Sequence, residues 1–147
     1  MLVLVVLWGA FPVFADDAVN AAVNRLSTVD SFAFGGVGIA GVTSKGEIDF
    51  KLVLAQPQSI ALGAFEKLYA TGNPQGKAYA LSGLRKLAPQ RFKELATALR
   101  KSPNEVQVMR GCIISHEALF DVAQQIDQGN SGSETWQCRA DSTRLGS

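Results

Sequence analysis

A single histidine and two cysteines among 147 residues exclude more chemistry than any motif suggests. His116-Glu117 opens like the zinc-protease pattern H-E-x-x-H, but Phe120 stands where the second ligand belongs. One imidazole with no C-x-x-C pair leaves too few soft ligands for a zinc site, so no metal-binding residues are expected. As a catalytic base His116 would need a nucleophile and an orienting acid. Its neighbour Ser115 reads instead as the cap of a helix, which would place His116 half-buried at that helix's inward edge. Charge of one sign is lacking too. The formal net charge is +1, so no global field draws in nucleic acid or acidic lipid. What is abundant is apolar: 47% hydrophobic against 18% charged residues suits one packed domain and argues against disorder.

Charge is missing altogether from the first fifteen residues, MLVLVVLWGAFPVFA, and two aspartates follow at once. The run is short for a membrane span, which takes about 20 apolar residues. Val13-Phe14-Ala15 puts small or branched groups where a signal peptidase cuts, although the usual basic residue at the start is absent. A buried N-terminal strand is the alternative. The expected layout is a signal peptide over 1–15, one exported helical domain over 16–138 and a loose tail over 139–147. No stable membrane anchor would remain after cleavage, and the location would be periplasmic or secreted from a bacterium. In an oxidising compartment Cys112 and Cys138 can form a disulfide, which on the chain-entropy argument stabilises by roughly 3.5 kcal/mol. A reactive thiol or a metal-ligating role is the competing reading of the same pair.

Helical periodicity dominates the remainder. Val19, Ala22, Val23 and Leu26 form one stripe, with Asp16 and Asp17 at the positive end of the helix dipole. Ser44 with Glu47 reads as a capping box before a short helix that stops ahead of Pro57. Ala61, Ala64, Phe65 and Leu68 make the next stripe, which ends near Gly72. Asn73-Pro74 starts a helix that turns Tyr79, Ala80, Leu84 and Leu87 inward, and Pro89 starts another carrying Phe92, Leu95, Ala96 and Leu99. Links this short force neighbouring helices to pack antiparallel. The fold class expected is mainly α: a compact array of antiparallel helical hairpins, HEAT-like in layout but without internal repeats, with a short extended portion and one disulfide. The extended portion comprises the glycine-rich stretch after Phe32 and the alternating EVQVMRGCII; a last helix, capped by Ser115, carries Leu119, Val122, Ala123 and Ile126.

Gly36, Gly38 and Gly41 spell G-x-G-x-x-G, but a dinucleotide site also needs a helix opening at the last glycine and an acid about 20 residues on. Ala61 occupies that distance, and strand end and turn follow Gly41, so the glycines read as a kink that lets backbones pack closely and no cofactor is expected. The carboxylates Glu47, Asp49, Glu66, Glu94, Glu105, Glu117 and Asp121 show no recognisable pairing, and no catalytic residue can be assigned from their spacing. Arg85, Lys86, Arg91, Lys93, Arg100 and Lys101 concentrate positive charge on two adjacent helices, either as an anion-attracting ridge or as an ordinary solvated face. Tyr69 and Tyr79 fall on faces expected to be buried, and Trp136 beside Cys138 is expected to cover the bridge.

The segments SFAFGGVGIAGVTSKGE, GKAYALSGLRKL and VMRGCIISHE, with Trp-x-Cys near the end, resemble a group of small uncharacterised exported bacterial proteins, at least one encoded beside a microcin gene cluster. The likeness spans roughly residues 27–138. It implies one ordered fold and a setting in bacteriocin biology, and it carries no catalytic residue. The function expected is therefore that of a non-enzymatic envelope interaction protein with a protein partner, an accessory or immunity-like factor. An envelope hydrolase whose carboxylates converge only on folding, and a purely structural envelope protein, are the alternatives.

Overall fold

Helix α4, Pro74–Leu87, is the axis on which the other elements pack. Eight of its residues, Gly76 and Ala78–Leu84, are buried, so it is covered on all sides rather than along one stripe. The computed structural model describes residues 14–129. Their order is α1 (Phe14–Ser27), β1 (Gly36–Val37), β2 (Val42–Thr43), α2 (Lys45–Leu54), α3 (Gln58–Thr71), α4, α5 (Pro89–Ala98) with a closing 3-10 turn (Leu99–Lys101), β3 (Glu105–Arg110), β4 (Ile113–Ala118) and α6 (Leu119–Asp127). The fold is mainly helical with two small antiparallel hairpins. Around α4 lie α1, α2, α3, α5, α6 and β3. Their buried side chains form one continuous core, from Val23 and Leu26 of α1 through Phe65 and Leu68 of α3 to Leu119 and Val122 of α6.

The helix starts follow from local chemistry. The Asn73 side chain accepts the Gly76 N–H at 2.8 Å, and Pro74, whose missing N–H costs nothing at a first helical position, pre-sets the backbone. Pro89 does the same for α5. Ser44 Oγ accepts the Glu47 N–H at 3.1 Å and also donates to the Ala33 carbonyl at 3.0 Å. The capping box is realised only in that half. Glu47 turns away from the cap, accepts the Gly35 N–H at 2.8 Å and pairs with Lys51 at 2.7 Å.

Two expectations are corrected. EVQVMRGCII is not one strand. It breaks at Gly111-Cys112, a two-residue turn in which Gly111 has φ of 59°, the first central position where a II′ hairpin turn takes glycine. The second strand then runs on through His116 to Ala118, so Ser115 is not a helix cap and His116 is not half-buried on a helix. His116 lies opposite Gln107 and is exposed, while Ser115 Oγ donates to Glu117 at 2.8 Å. The physical reason is cross-strand: Arg110 and Gln125 both bind Glu117, which holds this polar segment to the sheet, and helical packing begins only at Leu119.

Most of the apolar leader, Trp136, Cys138 and the tail over 139–147 lie outside the described residues. Among those described, no helix is long and apolar enough to cross a membrane.

Candidate functional site

Several buried or half-buried polar groups near α4 serve the fold. Tyr79, fully buried on α4, donates its hydroxyl to the Ala33 carbonyl at 2.8 Å and accepts the Ala33 N–H at 3.0 Å. Burial pushes the Tyr79 phenol above its ordinary pKa, so it stays a neutral hydrogen-bonding group. Phe32, Phe34 and Phe50 pack around its ring with centroids 4.9–6.1 Å away. Arg25 grips Asp49 through two hydrogen bonds of 2.9 and 2.6 Å. These contacts pin residues 32–35 to the helices and set where the next residues emerge.

What emerges is an aliphatic end. Residues 36–43 form a hairpin whose loop, Gly38 to Gly41, is closed by the Gly41 N–H on the Gly38 carbonyl at 3.1 Å. Gly38 and Gly41 have φ of 69° and 61°, which a residue with a Cβ adopts only at a cost. The G-x-G-x-x-G pattern is thus the bend of a hairpin. Val37 bridges to Gly111, and the Gly38 N–H donates to the Gly111 carbonyl at 3.0 Å, so the bends of both hairpins sit side by side. From this end project Ile39, 96% exposed, Val42 at 59%, Ile113 at 65% and Ile114 at 55%. Cys112, also exposed, lies among them.

A second feature is a cavity of about 760 Å³ between α2, α4, α6 and the chain at Phe34. Phe34, Phe50, Leu54 and Ile126 supply apolar walls. Lys51, Arg85 and Lys86 supply cations, and Glu47 is the one carboxylate on it among the described residues. A smaller cavity of about 350 Å³ is lined by Asp30 and Asp49, the latter engaged by Arg25.

The basic residues singled out from the sequence are divided among several surroundings. Arg85 pairs with Asp127 at 2.9 Å and, with Lys86, borders the large cavity. Arg91 is held by Glu66 at 3.0 Å and Glu94 at 3.1 Å, which raise its pKa further. Lys93 and Arg100 border a third cavity of about 270 Å³ between α5 and α6. Lys101 is exposed in the 3-10 turn. Of the carboxylates, Glu117 is the most tightly held: Arg110, assisted by Gln125 and Ser115, lowers its pKa to about 2. No group of three metal-ligating side chains occurs among the described residues.

Sequence reasoning missed the aliphatic end and the cavity. The available signal for the first was Ile39 inside a glycine bend, where solvent-facing turns ordinarily carry polar residues. The second has no sequence signal, because Lys51 and Lys86 meet only through the packing of α2 on α4. No protein-family model, curated protein or solved structure matches this chain.

Proposed function

We propose that the protein is a non-enzymatic interaction protein of the bacterial envelope, and that it contacts its partner through the aliphatic end. The observation that carries this is the exposure of Ile39, Val42, Ile113 and Ile114 on two hairpins joined at Val37 and Gly111. Ile113 and Ile114, successive on a strand, face opposite sides, so the exposed aliphatic side chains flank this end on both faces, and exposed apolar surface of this kind marks an interaction site. The partner is a polypeptide that lays an extended segment along β4. That strand has β3 on one side and no strand on the other among the described residues, so its outer edge offers main-chain groups for strand addition. A purely structural role would call for no such patch. A carboxylate hydrolase is disfavoured because, among the described residues, the large cavity holds one carboxylate, and Glu117 is kept ionised rather than poised to give a proton.

The finer reading belongs to the same proposal. The exported domain spans residues 16–138 after loss of a signal peptide, its helices stack in a HEAT-like layout, and Cys112 pairs with Cys138. The exposed position of Cys112 in the hairpin turn leaves it accessible to such a partner. Resemblance to exported proteins from a microcin setting makes an accessory or immunity-like role the specific form of the proposal. Immobilised protein incubated with periplasmic extract is expected to retain a partner that the double variant Ile39→Ser, Ile113→Ser loses at unchanged melting temperature. Equal retention by both proteins would overturn the reading, as would concentration-dependent dimerisation abolished by the same variant, which would make the patch a self-interface.

A further inference from the structure

We propose that the cavity between α2, α4 and α6 binds a small amphipathic monoanion, an aliphatic or aromatic body ending in a carboxylate. This goes beyond the partner reading and does not rest on it. The volume, about 760 Å³, lies in the range of sites that enclose small organic ligands. Its walls suit an apolar body: the Phe34 and Phe50 rings meet edge to face at 5.0 Å, and Leu54 and Ile126 continue the surface.

Charge selects the head group. Lys51 is neutralised by Glu47 at 2.7 Å, and Arg85 by Asp127 at 2.9 Å. Glu47 has already committed its other oxygen to the Gly35 N–H. Lys86 borders the same cavity and has no ion pair among the described residues. Among the described residues these pairings leave one positive charge, Lys86, at the border of a cavity with apolar walls. A single negative charge complements it. A cation would be repelled, and a dianion would have to break one of the existing pairs. A carboxylate near Lys86 also lies within the reach of the Arg85 and Lys51 side chains that border the same space, and charge-assisted hydrogen bonds of this kind are roughly twice as strong as neutral ones.

Calorimetric titration of the purified protein with dodecanoate tests this, alongside dodecanol and dodecyltrimethylammonium as neutral and cationic controls. One-to-one saturable binding of dodecanoate is expected, with both controls weaker by roughly tenfold or more, the equivalent of one lost charge-assisted hydrogen bond. Lys86→Glu, a change at an exposed position, is expected to weaken dodecanoate to a similar extent without altering the melting temperature, and Lys86→Arg to retain it. Leu54→Trp, which fills part of the cavity, is expected to abolish binding, and a melting curve confirms that this variant is folded. Equal affinity for all three head groups, an unaltered constant in Lys86→Glu, or no saturation would overturn the proposal. So would nuclear Overhauser contacts from the Trp136 indole to Leu54 or Phe34 in protein that does not bind dodecanoate, because the chain's own residues after Gly129 would then be the occupant.

Discussion

Residues 32–35 and residues 36–43 are consecutive, yet the first stretch is sunk into the interior and the second, beyond the buried Val37, stands clear of it. Phe32 and Ala33 are buried, and the main chain around them is fully engaged: Phe32 N–H on the Gln107 carbonyl, Met109 N–H on the Phe32 carbonyl, and both polar groups of Ala33 on the Tyr79 hydroxyl. Seven residues after Phe32, Ile39 touches almost nothing. The interior stretch is constrained by close packing, where every lost contact and every orphaned polar group is felt. The hairpin bend is constrained by its glycines and by main-chain contacts with Gly111, none of which involves the exposed aliphatic side chains, so those side chains are not explained by the fold. That contrast is what separates residues kept for stability from residues kept for contact.

The contrast is tested most severely at Phe32→Ala. Phe32 packs against Phe34 at 5.3 Å and Tyr79 at 4.9 Å and is buried. Truncating a buried phenylalanine costs about 3–5 kcal/mol, and a denaturant titration is expected to show a loss of that size. A loss below about 1 kcal/mol would mean that this stretch is no more essential than the bend beyond it. Tyr79→Phe comes next, at about 2 kcal/mol. The volume hardly changes, but the buried Ala33 N–H loses its acceptor. The Ala33 carbonyl keeps Ser44 Oγ, so the deficit comes mainly from the one orphaned donor.

How far the sequence foretold this arrangement varied with the range of the interaction. Helices α3, α4 and α5 are legible because their stripes are written in apolar spacing and, for α4 and α5, their starts in Asn73-Pro74 and Pro89. The start of α6 was not. Ser115-His116-Glu117 is compatible with a capped helix or a strand, and what decides is Arg110, reached across the hairpin, and Gln125 on α6 itself. Apolar spacing puts Tyr79 inside, but its bond to Ala33 joins residues 46 apart and has no local signature. The cavity was illegible for the same reason, and Lys86 could be read only as one of six basic residues on two adjacent helices, an anion-attracting ridge or a solvated face.

A smaller effect is expected at the polar junction between β4 and α6. The carboxyl of Glu117 is lowered to about 2, first by Arg110, so between that value and the ordinary carboxylate range the unfolded chain binds the extra proton. Stability from this group is therefore complete above about pH 4.5 and is lost as the pH falls through about 2. Solvent access to the pair reduces the contribution to about 1 kcal/mol. Urea midpoints measured from pH 6 down to pH 2 are expected to fall less in Glu117→Gln than in the parent. An acid limb of unchanged slope would show that the junction is not held by this charge.

The least effect on stability, and the one that most sharpens the comparison, is expected at the bend itself. Ile39→Ser removes an apolar side chain that is 96% exposed. Almost no buried area is lost, so the midpoint is expected to move by less than about 0.5 kcal/mol, a tenth of the change at Phe32 within the same stretch of chain. Gly38 and Gly41 on either side still supply the left-handed geometry, so the hairpin persists. Partner retention is expected to fall steeply in the same variant, because an exposed aliphatic side chain gains its burial only in a complex. If stability fell by several kcal/mol instead, Ile39 would be packed against something in solution, and the bend would belong with the interior that the preceding residues build.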